Sequence, residues 1–238
     1  MKFDSKLEAN RKQMSTDSTT AVTGWRPWQA WNLNRNPFGE LTRSERAELA
    51  VLLDDLEQQS TPGDFQAWQF IGKCGRGKTS QMLGLQRRWS DSAYVYMPVD
   101  GPCPDIPVAR PLLIDEFQRV PRRIRTQLIR SGLPLVLGTH RDMSRSLRGA
   151  GYRVRTIRLG HQNTADHLCK VLNRRIEHCR LFEGPVPKIR RRTAEDLIRR
   201  FGSDLRAIEN HLYEWTQAQA FLPRPTDHGQ MQFDGDFE

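Results

Sequence analysis

The sequence predicts an α/β fold: a parallel sheet flanked by helices, then a smaller all-helical unit. Three observations carry this. Short apolar runs alternate with helical patterns between residues 65 and 159, the signature of strands joined by helical crossovers. A glycine-rich turn, Gly72-Lys-Cys-Gly-Arg-Gly77, lies between the first run and the first long helical stretch. From Gly160 onward strand patterns stop and apolar residues recur only at helical spacing.

Residues 1–22 are charged and rich in Ser and Thr, without sustained periodicity, and read as an unstructured extension. Trp25, Trp28 and Trp31 follow at every third position. Three such rings on a polar segment are expected to pack on the protein's own body, on a second copy, or on a partner. Asn34-Arg-Asn-Pro-Phe-Gly39 is a turn, and Thr42 with Glu45 is in capping-box register for a helix ending near residue 59, striped by Leu49, Leu52, Leu53 and Leu56.

Strands are expected at 65–71, 93–99, 111–114, 133–137 and 154–159, the last with charged alternation that suits a sheet edge. Helices are expected at 80–89, 121–130 and 141–148, while the prolines of 100–110 mark a loop. Beyond Gly160 helices are expected at 164–179, at 194–201 capped by Thr193, and at 205–215 started by Asp204. The expected organisation is an extension at 1–30, a core at 31–160, a helical lid at 161–220 and a tail at 221–238.

The glycine turn contains G-x-x-x-x-G-K-[ST] in full, from Gly72 to Thr79, between a strand and a helix. Gly72, Gly75 and Gly77 let backbone N–H groups turn inward around a phosphate chain, and the helix N-terminus adds its orphan donors, with Ser80 close by. Lys78 is placed to reach the β- and γ-phosphates and Thr79 to offer its hydroxyl to Mg²⁺. The run Leu112-Leu-Ile-Asp115-Glu116 delivers two carboxylates to a strand end, thirty-six residues after Thr79. Asp115 is the candidate metal ligand, and Glu116 the group that orients and partly deprotonates an attacking water. No Asn/Thr-Lys-x-Asp guanine-reading motif is present, so ATP is expected.

Net charge is +9 and the isoelectric point about 9.8, which favours a polyanionic partner or an acidic protein face. Cys74, Cys103, Cys169 and Cys179 show no C-x-x-C spacing, and reduced thiols in a cytoplasmic protein are expected. The first residues do not form a secretory signal and no apolar run is long enough to span a bilayer, so no membrane partner is expected. Cys169 with His178, or Cys179 with His167, falls short of four metal ligands, and ordinary packing is expected there.

A glycine loop and an Asp-Glu strand on a parallel sheet, followed by a helical unit, resemble an AAA+ P-loop ATPase across about residues 34–215. The Asn-Pro-Phe of 36–38 resembles that of DNA-associated members, the transposition regulators of the TniB and TnsC kind and the ExeA-type secretion ATPases. The resemblance implies an ATP- and Mg²⁺-dependent ATPase, with Asn36, Pro37 and Phe38 beside the adenine pocket. It implies a sensor role for Thr139 and for Arg206, the latter within Gly202-Ser-Asp-Leu-Arg206; an ordinary surface arginine is the plain alternative. It also implies an arginine finger acting on a neighbouring subunit, Arg148 first and Arg145 second among Arg141, Arg145 and Arg148, and hence a ring or filament. The family's helix between its second and third strands is replaced here by the proline-rich 100–110, which argues against peptide threading.

Residues 119–158 hold eleven arginines and one acid, Asp142. Arg122, Arg123, Arg125 and Arg130 crowd one short helix, where like charges repel until a polyanion neutralises them. Duplex DNA held through its backbone, with recruitment of a partner protein, is the expected use. A protein-interaction switch that works without nucleic acid is the alternative.

Overall fold

The computed structural model describes residues 27–160 and 163–220; the polar extension, Trp25 and the tail at 221–238 lie outside the described residues. A 3₁₀ turn (Pro27–Trp31) leads to α1 (Arg43–Glu48) and α2 (Asp54–Glu57). The α/β body follows as β1 (Gln66–Ile71), α3 (Lys78–Arg88), β2 (Ala93–Tyr96), β3 (Leu112–Asp115), a 3₁₀ turn (Phe117–Arg119), α4 (Arg122–Arg130), β4 (Leu135–Thr139), α5 (Ser144–Gly149) and β5 (Arg153–Arg158). Three helices close the described chain: α6 (Ala165–His178), α7 (Arg191–Phe201) and α8 (Leu205–Ala220).

The five strands form one sheet in the order β2-β3-β4-β1-β5, with every pairing parallel. Parallel sheets bury both faces, and β3 and β4 are buried along their whole length. Alternation along β1 divides the core. Trp68 and Phe70 join Met82, Leu85 and Trp89 of the α3 side, while Ala67 joins Leu112, Leu135 and Leu147 on the other. Gln69, on that second face, is fully buried. Its amide donates to Asp142 Oδ1 (3.0 Å) and Thr156 Oγ1 (2.8 Å) and its carbonyl accepts from Met143 N (2.9 Å), so polar bonds tie β1 to β5 and to the start of α5. β5 is an edge strand, as its charged alternation predicts.

The helix expected to run to residue 59 is instead two short ones. The Thr42–Glu45 capping box is present, but Gln81 of α3 takes the backbone of the break: its Nε2 donates to Val51 O (2.7 Å) and Leu53 N donates to its Oε1 (3.0 Å). Gly84 permits the approach, since a Cβ there would lie 2.8 Å from Ala50 Cβ. Competition from a tertiary partner outweighs the leucine stripe. Thr193 is not a cap: α7 begins at Arg191, so Thr193 is inside the helix and buried. Residues 97–111 connect β2 to β3 with neither helix nor strand, as the prolines predict.

Trp31, Leu33 and Phe38 pack with Leu168, Leu172, Ile208 and Leu212 of the helical unit, and half-buried Trp28 lies against the same cluster. Arg175 of α6 fixes this arrangement. Buried, it donates to Pro37 O (3.0 Å) and Gly39 O and pairs with Glu209 of α8. A buried guanidinium needs this much compensation, and here it clamps residues 37–39 between two lid helices.

Candidate functional site

β1 ends at Ile71 and the chain turns through Gly75 (φ 76°) and Gly77 (φ 89°) into α3. Both positive φ values need glycine. The glycine loop also packs on the lid: Leu205 N donates to Gly75 O (3.0 Å), and a Cβ on Gly75 would collide with the Asp204 carboxylate. Arg76 hydrogen bonds to Ser203 Oγ, so the loop and the start of α8 form one seam.

Lys78 opens α3 and is buried; its Nζ donates to Gly72 O (2.8 Å) and Lys73 O (3.1 Å) inside the loop. Burial lowers its pKa, partly offset by Glu116 and Asp115. Thr79 Oγ1 donates to Asp115 Oδ2 at 2.6 Å. Asp115 is fully buried at the end of β3, and its Oδ2 also accepts from Tyr94 OH (3.0 Å). Burial, then the charge of Asp115, raises the Tyr94 pKa, so the phenol remains a donor. Gly138 makes room: a Cβ there would overlap Asp115 Oδ1 and lie 2.8 Å from Met82 Sδ.

Glu116 has left-handed backbone (φ 58°), a conformation that costs a non-glycine residue about 1–3 kcal/mol and needs its surroundings to hold it. Gln118 Nε2 donates to its Oε2 (2.6 Å), Arg119 Nη2 lies 3.1 Å from Oε2, and His140 Nε2 lies 3.1 Å from Oε1. Lys78 Nζ stands 4.0 Å from Oε1. Arg119 is itself anchored on Tyr96 OH (3.2 Å) and Met97 O (3.0 Å), at the end of β2.

Gly72, Gly75, Gly77, Lys78, Thr79, Asp115 and Glu116 thus converge, with half-buried Ser80 in the first turn of α3. Thr139 is buried at the end of β4, but its hydroxyl closes a turn with Arg141 N (3.1 Å) and O (3.0 Å); the next residue, His140, meets Glu116 instead. Arg206 is exposed in the first turn of α8, near enough that its charge contributes to lowering the Lys78 pKa. Asn36 donates to Tyr213 O (3.0 Å) and accepts from Phe38 N (3.0 Å); with Pro37 and buried Phe38 it is built into the lid contact. Arg141, Arg145 and Arg148 are exposed. Tyr94, Gln118, Arg119, Gly138 and His140 were not singled out by motif. Their only sequence signal is position: Tyr94 within β2, and the others at or just beyond the ends of β3 and β4.

Among the described residues no group of three or more His, Cys, Asp or Glu stands together as a metal site. Nor is any described helix long and apolar enough to cross a membrane.

Fold and site together define a P-loop α/β core with a helical lid, the arrangement the AAA+ resemblance implies. No family model matches the chain, and no curated protein matches it. Among solved structures it is similar to Cdc6p from Pyrobaculum aerophilum, at 16% identity over 80% of this chain with a TM-score of 0.45. It spans 65% of that protein's length. A likeness so distant has no bearing on function.

Proposed function

We propose that this chain is a cytoplasmic, Mg²⁺-dependent ATPase of AAA+ type that assembles into rings or filaments on duplex DNA and recruits a partner protein. The observation that carries the ATPase reading is the convergence of Lys78, Thr79, Asp115 and Glu116 on a loop whose glycines open backbone donors toward a phosphate chain. Thr79 and Asp115 offer the hard oxygen ligands that suit Mg²⁺, and the ion when bound neutralises charge on the β- and γ-phosphate oxygens. Lys78 exchanges its loop carbonyls for phosphate oxygens, Tyr94 and Gly138 fix the aspartate, and Glu116 orients water. Cys74, Cys103, Cys169 and Cys179 are all free thiols, which suits a reducing compartment.

DNA is supported by charge. Of the eleven arginines in 119–158, Arg122, Arg123, Arg125, Arg130, Arg141, Arg145, Arg148 and Arg153 make no ion pair among the described residues. A protein-interaction switch without nucleic acid is the second reading, favoured by Val99 (72% exposed) and Val108 (85% exposed) on the loop after β2. Titration calorimetry with ATP and Mg²⁺ tests the primary reading. Lys78→Ala is expected to lose binding, and Glu116→Gln to keep binding and lose turnover. Wild-type affinity and turnover in Lys78→Ala would discard the ATPase.

A further inference from the structure

Between α4 and α5 lies an open cleft of about 340 Å³, at the edge of the core and built from groups that do not serve the glycine loop. Its rim is Arg122, Arg125 and Arg130 with the hydroxyl-bearing Thr126 and Ser146 and exposed Gly149; the more buried Ile129, Met143 and Ala150 give it an apolar side. No carboxylate lines it, and none of the three arginines has an ion-pair partner among the described residues. Three guanidinium groups gathered without a counter-charge repel each other, so an anion gains from all of them at once.

Duplex DNA laid across the rim would present phosphates alone and leave the apolar side unused. A volume near the lower end of small-ligand pockets, which begin at about 300 Å³, fits one nucleotide unit and excludes a double helix. We infer that the α4–α5 cleft seats one unpaired nucleotide of a nucleic-acid strand, its phosphate on Arg122, Arg125 and Arg130 and its base on the apolar side of Ile129 and Met143. Arg123, on the same helix as the rim arginines, continues the track for a neighbouring phosphate. An acidic peptide shares the anionic chemistry, but a row of unpaired arginines extending beyond the cleft matches the regular charge of a phosphodiester chain. The inference rests on the nucleic-acid reading: duplex DNA meets the rim arginines through its backbone alone, and the cleft adds a seat for an unpaired nucleotide.

Gly149 supplies the test. A Cβ added there meets no heavy atom within 4 Å, so Gly149→Leu adds apolar bulk at the cleft's edge without strain and preserves every charge. Fluorescence anisotropy of the full chain with ATP, using an oligothymidylate and a duplex of equal length across a salt series, reads both forms. Gly149→Leu is expected to weaken single-strand binding about fourfold, the scale of burying one CH₂. The salt slope, about 0.7 per phosphate contacted on a single strand, and duplex affinity should not change. Ser146→Leu, exposed on the rim, should act in the same way and serves if Gly149→Leu loses ATP affinity. Unchanged single-strand affinity in both variants, or equal losses on duplex, overturns the cleft site while leaving DNA binding intact. Displacement of the oligonucleotide by an acidic peptide of equal charge, at equal concentration, overturns it in favour of a protein ligand. Failure of the wild-type chain to bind either nucleic acid removes the DNA reading as well.

Discussion

His140 Nε2 and Arg119 Nη2 each lie 3.1 Å from Glu116, one at each carboxylate oxygen. The carboxylate is therefore held from both sides by groups from different strand ends, and its left-handed backbone persists because those contacts over-determine it. Removing one should let Glu116 relax out of line with the phosphate loop. His140→Ala is expected to lower kcat for ATP hydrolysis about tenfold, a fraction of what a positioned base contributes, while ATP affinity stays within about twofold. A variant with unchanged kcat would show that His140 only fills space.

Gly138→Ala tests the fit of Asp115. The added methyl overlaps Asp115 Oδ1 and approaches Met82 Sδ at 2.8 Å, in the centre of the sheet where neither strand can yield. Overpacking of this kind costs about 1–3 kcal/mol, so the melting temperature should fall. The Mg²⁺ concentration needed for ATP binding should rise, because Asp115 is displaced from Thr79. A variant that melts and titrates like wild type would place the metal site elsewhere.

Acid should loosen α5 before the rest of the sheet. Side-chain and backbone hydrogen bonds from Ser144, then Gln69, hold Asp142 at a pKa of about 2, below its ordinary 3.8. A carboxylate depressed in the folded state adds stability above its unfolded pKa and loses it as pH falls through the folded value. That contribution is thus whole above about pH 4 and gone near pH 2. Asp142 is 43% exposed on its side chain, so screening keeps the effect modest. Asp142→Asn should flatten the acid limb of a denaturation curve in that window and change little at pH 7. An acid limb with wild-type slope would rule the network out as its source.

Sheet, phosphate loop and lid are legible in the sequence because each rests on local periodicity or on glycine. The runs of β3 and β4 are apolar since both faces are covered, and Gly75 and Gly77 are required by their φ values. Partnerships that depend on distant side chains left no such trace. Gln81 breaks a helix whose leucine stripe is continuous, and Arg175 pulls residues 37–39 onto the lid from 136 and 138 positions away. In the site, Lys78, Thr79, Asp115 and Glu116 are motif residues. Tyr94 and His140 join them only because strand order places β2 and β4 on either side of β3.

Arg148 lies in the last turn of α5, exposed and without an ion-pair partner among the described residues. Each finger in a head-to-tail assembly serves the next subunit's site, so a heterologous interface joins two different halves. Arg148→Ala should therefore bind ATP normally and hydrolyse it poorly, since a finger in trans contributes about 10³–10⁵ in rate. Glu116→Gln should likewise bind ATP, assemble and stay inactive, yet still present an intact Arg148. Mixing the two inactive variants creates interfaces in which an intact Glu116 faces an intact Arg148. With equal amounts and random order, about one interface in four is complete, and turnover should recover to about that fraction of wild type. Size-exclusion chromatography with light scattering, run in ATP and in ADP, checks that the mixture assembles. An Arg145→Ala that is inactive alone and recovers with Glu116→Gln, beside an active Arg148→Ala, would move the finger one turn back along α5. An assembled mixture with no recovered turnover in either pairing would remove the trans finger altogether.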